Sequence, residues 1–80
     1  AQEEEIKHKE IAFEFMLNAL RLKDGFDSNL FHERTGLAIS SIQSALTQAI
    51  EKDLLIQTPK SIKPTERGFD FLSDLQEIFL

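Results

Sequence analysis

A helix that is apolar around most of its girth cannot be satisfied by one packing partner, and the stretch Ile11 to Gly25, IAFEFMLNALRLKDG, reads as the second half of such a helix and its stop signal. At about 100° per residue, Phe13, Met16, Leu17 and Leu20 share one face, in the i, i+3, i+4, i+7 pattern of a core-facing stripe. A second row, Ile11, Phe15 and Leu22 with Asn18 inside it, lies nearly opposite, and Ala12 and Ala19 join the two along one flank. Only Glu10, Glu14 and Arg21 keep a charged stripe. One face wants this chain's own core; the other wants a second surface.

With 80 residues, the chain can build one modest core, burying roughly 60% of the surface its unfolded form exposes. Its composition, 41% apolar with seven Phe, is that of a packed globule. No cysteine is present, which excludes disulfides, thiolate nucleophiles and cysteine-ligated zinc or iron–sulfur clusters. The net charge of −5 works against phosphate neutralisation and so against nucleic acid. No apolar run approaches the ~20 residues of a membrane span, and the acidic start AQEEE is unlike a secretory signal. The expectation is a cytoplasmic domain. The first residue is Ala1 rather than Met, straight into helical sequence, which reads as a fragment of a longer protein.

Glu3, Glu4 and Glu5 suit the positive end of the first helix dipole, and Lys23, Asp24 and Gly25 end it. Phe26 follows as one extended residue. Asp27 or Ser28 can cap a short second helix that turns Leu30 and Phe31 inward and stops at Gly36. Leu37 and Ala38 make a turn, and Ser40 to Gln43 reads as a capping box for a third helix. That helix carries Ile42, Ala45, Leu46, Ala49 and Ile50 inward and Ser44, Thr47, Gln48 and Glu51 outward. Leu54 to Thr58 reads as a strand, Pro59 to Ser61 as a turn, and Ile62 and Lys63 as the return strand, with Pro64 ending the pairing. Thr65 caps a last helix from Glu66 to about Phe79, whose apolar arc includes Phe69, Phe71, Leu72, Leu75, Ile78 and Phe79. The fold class is mostly α with a small β-hairpin: a winged helix-turn-helix-like domain with a long first helix and a C-terminal helix after the wing.

A winged helix raises DNA binding first. Base edges are read by Arg, Lys, Asn and Gln, and groove walls need cations. The outward residues Ser41, Ser44, Thr47, Gln48 and Glu51 include no cation, and Lys60, Lys63 and Arg67 are scattered. His8 and His32 lack convergent metal ligands, so metal or haem ligation is a weaker reading than a surface histidine. Asp70, Asp74 and Glu77 lie on one helix face at i, i+4, i+7, where solvation explains them better than paired acid–base catalysis. Ser40 and Thr65 are accounted for by capping and Met16 by packing. The candidate catalytic, cofactor-binding and metal-ligating sets are all empty.

The segments EFMLNALRLKDGF, FHERTGL and LLIQTPKSIKPTERGFDFLSDLQEIFL together resemble the C-terminal domain of the oxygen-independent coproporphyrinogen III oxidase-like radical S-adenosylmethionine proteins. The resemblance runs from about Glu10 to Leu80. It is most specific from Phe13 to Phe26 and at Ile62, Pro64, Thr65, Gly68, Phe71 and Leu72. Within that family, EFMLNALRL looks closer to the shorter haem-chaperone members than to the decarboxylating oxidase. The resemblance implies a parent with an N-terminal barrel that carries a three-cysteine [4Fe-4S] cluster and binds S-adenosylmethionine, with haem as a further ligand of the chaperone type. No family catalytic or cluster-ligand residue maps onto this chain. Phe15, Asn18, Arg21 and Leu22 match the family's helix motif with no chemical role attached. The resulting expectation is an accessory domain, residues 1–80, whose Ile11, Phe15, Asn18 and Leu22 dock on the parent's barrel, Asn18 hydrogen-bonding across the contact. A homodimer face and the far side of the core are the alternatives for that row; a winged-helix nucleic-acid binder and a generic protein-interaction module are the alternatives for the domain.

Overall fold

A computed structural model describes the backbone of residues 2–80 and the side chains from Ile6 onward. The dipole role expected of Glu3, Glu4 and Glu5 falls outside the described side chains. Helix α1 runs Gln2–Ala19, strand β1 Phe26–Asp27, and helix α2 Ser28–Thr35. A 3-10 turn at Ile39–Ile42 leads into α3, Gln43–Glu51, then β2, Leu55–Gln57, and β3, Ser61–Pro64. Two short helices close the chain, α4 at Glu66–Asp70 and α5 at Leu72–Glu77. This is the winged-helix order, helix-rich with a small antiparallel sheet.

Helix α1 stops earlier than its apolar pattern. After the Leu20 amide bonds the Met16 carbonyl, the Arg21 and Leu22 amides bond back only three residues, to Asn18 and Ala19. This tightening drives Leu20 into the core with no exposed surface, and Leu22 leaves the helix for its exit turn. Gly25 follows with φ 76°, a left-handed conformation that glycine adopts at least cost. A Cβ at Gly25 would also overlap the Ile62 carbonyl and the Lys63 side chain, so the exit turn lies tight on the sheet.

That closeness creates a strand the sequence pattern understated. Phe26 is paired, not merely extended: β1 runs antiparallel to β3, Phe26 opposite Ile62 and Asp27 opposite Ser61. The expected hairpin is therefore the outer part of a three-stranded sheet in the order β1-β3-β2. Pro64 does not end the pairing but is its last member, opposite Leu55. Strand β1 pairs only with Ser61 and Ile62, so no neighbour on that side asks Pro64 for the donor it lacks.

Caps divide the same way. Asp27 caps α2, its carboxylate accepting from the Asn29 amide at 2.8 Å, and Gly36 ends it. Thr65 caps α4 by accepting from the Gly68 amide at 2.9 Å while its hydroxyl donates to the Asp53 carbonyl at 2.7 Å. The capping box expected at Ser40 does not form. Ser40 lies inside the 3-10 turn, α3 starts at Gln43 without a side-chain cap, and the Gln43 amide pairs instead with Gln57 through bonds of 3.0 and 3.2 Å. A long-range partner on β2 outcompetes the local one.

The single last helix is also corrected. Phe71, at φ −111° and ψ 47°, breaks it into two. Gly68 lies against the Leu54 backbone so closely that a Cβ would collide with the carbonyl, which pins α4. The break then lets α5 turn Leu75 and Phe79 into the core, while Phe69 and Phe71 stay outside. The core holds Met16, Leu20, Phe31, Leu46, Leu55, Ile62 and Leu75. Gln76 ties α5 to α1 by donating to the Leu17 carbonyl at 2.9 Å.

Candidate docking groove

The row expected to face away from the core is gathered into one place. Ile11, Phe15, Asn18 and Leu22 all line a groove of about 460 Å³, joined by Glu14 and Ala19. The other wall is α2, which supplies Leu30, Arg34 and Thr35. Leu30 was expected to turn into the core, and Arg34 and Thr35 were not singled out from the sequence, although Leu30 and Arg34 stand at i and i+4 and must share a helix face.

The four residues do different jobs. Phe15 is half-buried and forms the floor, with its ring edge-on to Phe26 at 5.1 Å and to Phe31 at 5.3 Å between centroids. It was expected to point away from the core; it belongs to both surfaces, because α2 and β1 close against this side of α1. Ile11 and Leu22 keep 41% and 54% of their surface exposed and are the groove's open apolar edges. Asn18 bonds within its own helix, its Nδ2 donating to the Glu14 carbonyl at 3.0 Å. That leaves its amide oxygen as an acceptor for a visitor. Thr35 has no donor left to offer: its hydroxyl donates to the Phe31 carbonyl at 2.6 Å and accepts from the Leu37 amide at 3.0 Å.

No reactive constellation accompanies the groove. Among the described residues, no three His, Cys, Asp or Glu side chains converge on a metal position. His32 Nδ1 sits 3.1 Å from the Leu37 carbonyl, a bond that locks the ring against the end of its own helix. His8 lies across the molecule, beside Ile42, Ala45 and Phe79. Asp70, Asp74 and Glu77 are exposed, and the break at Phe71 separates Asp70 from the other two. On the possible DNA face, Ser41, Ser44, Thr47, Gln48 and Glu51 are exposed as expected, but Ser41 is engaged with the Ala38 carbonyl at 2.7 Å. Arg67 stacks over the Phe71 ring at 5.6 Å.

The sequence profile of the HemN C-terminal domain matches residues 6–71. The chain belongs to that family. The matched span holds the groove, the sheet and α4, and it ends at the Phe71 break. Similar curated proteins carry haem-chaperone names. A heme chaperone HemW-like protein of Buchnera aphidicola subsp. Baizongia pistaciae is 37% identical over 75 residues, 94% of this chain and 20% of that protein. Heme chaperone HemW of Haemophilus influenzae is 34% identical over 68 residues, 85% of this chain and 18% of that protein. HemW of Buchnera aphidicola subsp. Acyrthosiphon pisum is 30% identical over 76 residues, 95% and 20% respectively. The chain thus spans about a fifth of the length of the curated relatives it matches. No solved structure matches it. The haem-chaperone side of the family resemblance is the side on which these relatives fall, and among the described residues no helix is long and apolar enough to cross a membrane.

Proposed function

We propose that this chain is the accessory C-terminal domain of a longer HemN-like protein of haem or porphyrin metabolism, of the haem-chaperone type. Its role is to pack the groove of Ile11, Phe15, Asn18 and Leu22 against the radical S-adenosylmethionine barrel of the same polypeptide. The observation that carries this reading is the groove itself: Ile11, Asn18 and Leu22 are exposed in one groove with the half-buried Phe15, beside a completed core.

Size argues for a tethered occupant. A groove of about 460 Å³ receives one or two side chains, whereas separate partners bury about 800 Å² on each side in a stable complex. Within one polypeptide the effective concentration is of millimolar order for a short linker, so a few aliphatic contacts suffice. Burying a Leu or Ile contributes about 1.5–3 kcal/mol. Docking here would hold the domain over the barrel and exclude water from that junction.

The iron–sulfur cluster implied for the parent does not fit this domain's residues. A [4Fe-4S] cluster needs thiolates, and the chain has no cysteine. The cluster is therefore assigned to the remainder of the parent, and no step of its chemistry runs through these residues.

The test is the double substitution Ile11→Ser with Leu22→Ser in the parent protein. The expected outcome is a domain that melts as before, faster protease cleavage at its junction, and impaired parental function. A folded domain with unchanged junction and function overturns the docking reading. The coding sequence upstream supplies an independent check, since the reading requires a CxxxCxxC run there.

A further inference from the structure

The groove is not purely apolar, and its charges are arranged. Of the described residues that line it, Arg34 is the one cation and Glu14 the one carboxylate, the former on α2 and the latter on α1. They face a floor that is aliphatic and aromatic. The end of α2 favours a cation for its dipole alone, but a lysine directed to solvent would serve that purpose. A guanidinium lining an apolar groove offers more: it is weakly hydrated, and its planar fork of donors matches a carboxylate in two parallel bonds.

We infer that Arg34 is the polar anchor of the docked state, taking an aspartate or glutamate side chain that the rest of the polypeptide presents next to an aliphatic residue. The aliphatic residue fills the groove between Ile11 and Leu22, and the carboxylate lies over Arg34. Charge complementarity supports this occupant. The chain carries a net charge of −5, so a general attraction would favour a basic partner; among the described residues that line the groove Arg34 reverses that sign, on the wall across from Glu14. This inference rests on the docking reading proposed above and adds to it the chemistry of the segment that docks.

Its test uses the parent protein. Arg34→Glu should raise the rate of protease cleavage at the domain junction about tenfold, since cleavage tracks the open population and losing an interfacial charge pair costs at least that factor. Arg34→Lys keeps a charge and adds a nucleophilic amine. Carbodiimide treatment of that variant should join residue 34 to a carboxylate in the upstream part of the same chain, read by mass spectrometry of the linked peptides. If Arg34→Glu leaves cleavage unchanged while Leu22→Ser accelerates it, the groove docks without this anchor; the inference falls and the docking reading survives. If neither substitution changes cleavage, both fail. A cross-link to Glu14 of a second copy overturns the inference in favour of a dimer.

Discussion

The two faces of α1 are built from the same residue types and end in different states. Met16 and Leu20 are wholly buried, while Ile11 and Leu22, one turn away on the helix or its exit, keep about half their surface in contact with solvent. Hydropathy does not distinguish them; the number of elements available to cover each face does. On one side Gln76 ties α5 to the Leu17 carbonyl, and Met16 and Leu20 join the core. On the other, β1 and α2 meet Phe15 but leave the row's two ends open. Under the docking proposal, this partly open face is the surface that meets the rest of the parent protein.

That contrast can be broken most forcefully at its buried side. Leu20→Ala or Met16→Ala removes atoms from a close-packed site and should cost about 2–5 kcal/mol, measured by urea unfolding. Phe15→Ala should fall between the two faces, at about 2 kcal/mol, because the ring packs T-shaped against Phe26 and Phe31 and also lines the groove. A value near zero would mean that the ring contributes nothing to the domain's own packing. For the same reason, a charge at Phe15 would confuse loss of docking with loss of fold.

Caps give a smaller version of the same comparison, in which two patterns look alike in sequence and differ in surroundings. Thr65→Ala removes both a cap bond and the bond to Asp53, and should cost about 1–2 kcal/mol. Ser40→Ala removes no cap bond and should change the unfolding free energy by less than about 0.5 kcal/mol. Leu22→Ser has the least effect on stability, within about 0.5 kcal/mol, and its consequence should appear only when the rest of the parent is present.

What was legible in the sequence follows from these cases. Helix order, the wing and the Thr65 cap rest on local chemistry, and each was readable from a few adjacent residues, whereas the stop expected at Gly25 came late, since α1 ends at Ala19. Strand β1 was not, since two residues have no period; only the approach of Gly25 to Ile62 makes Phe26 a strand. The failed cap at Ser40 depends on Gln57, far along the chain, and the break at Phe71 on the contact of Gly68 with the Leu54 backbone. The groove was half legible. Its α1 wall is a periodic row, while its α2 wall, Leu30 and Arg34, becomes a wall only once the two helices are packed.

The most direct measurement is hydroxyl-radical footprinting of Leu22 in the parent protein and in the eighty-residue chain alone, with Ile56 as the internal reference. Both side chains are open in the isolated domain, at 54% and 41% exposure, and Ile56 lies on β2, outside the groove. Docking of the groove requires that Leu22 oxidation fall several-fold in the parent while Ile56 oxidation stays the same. Equal oxidation of Leu22 in the two proteins would contradict the docking role of this face.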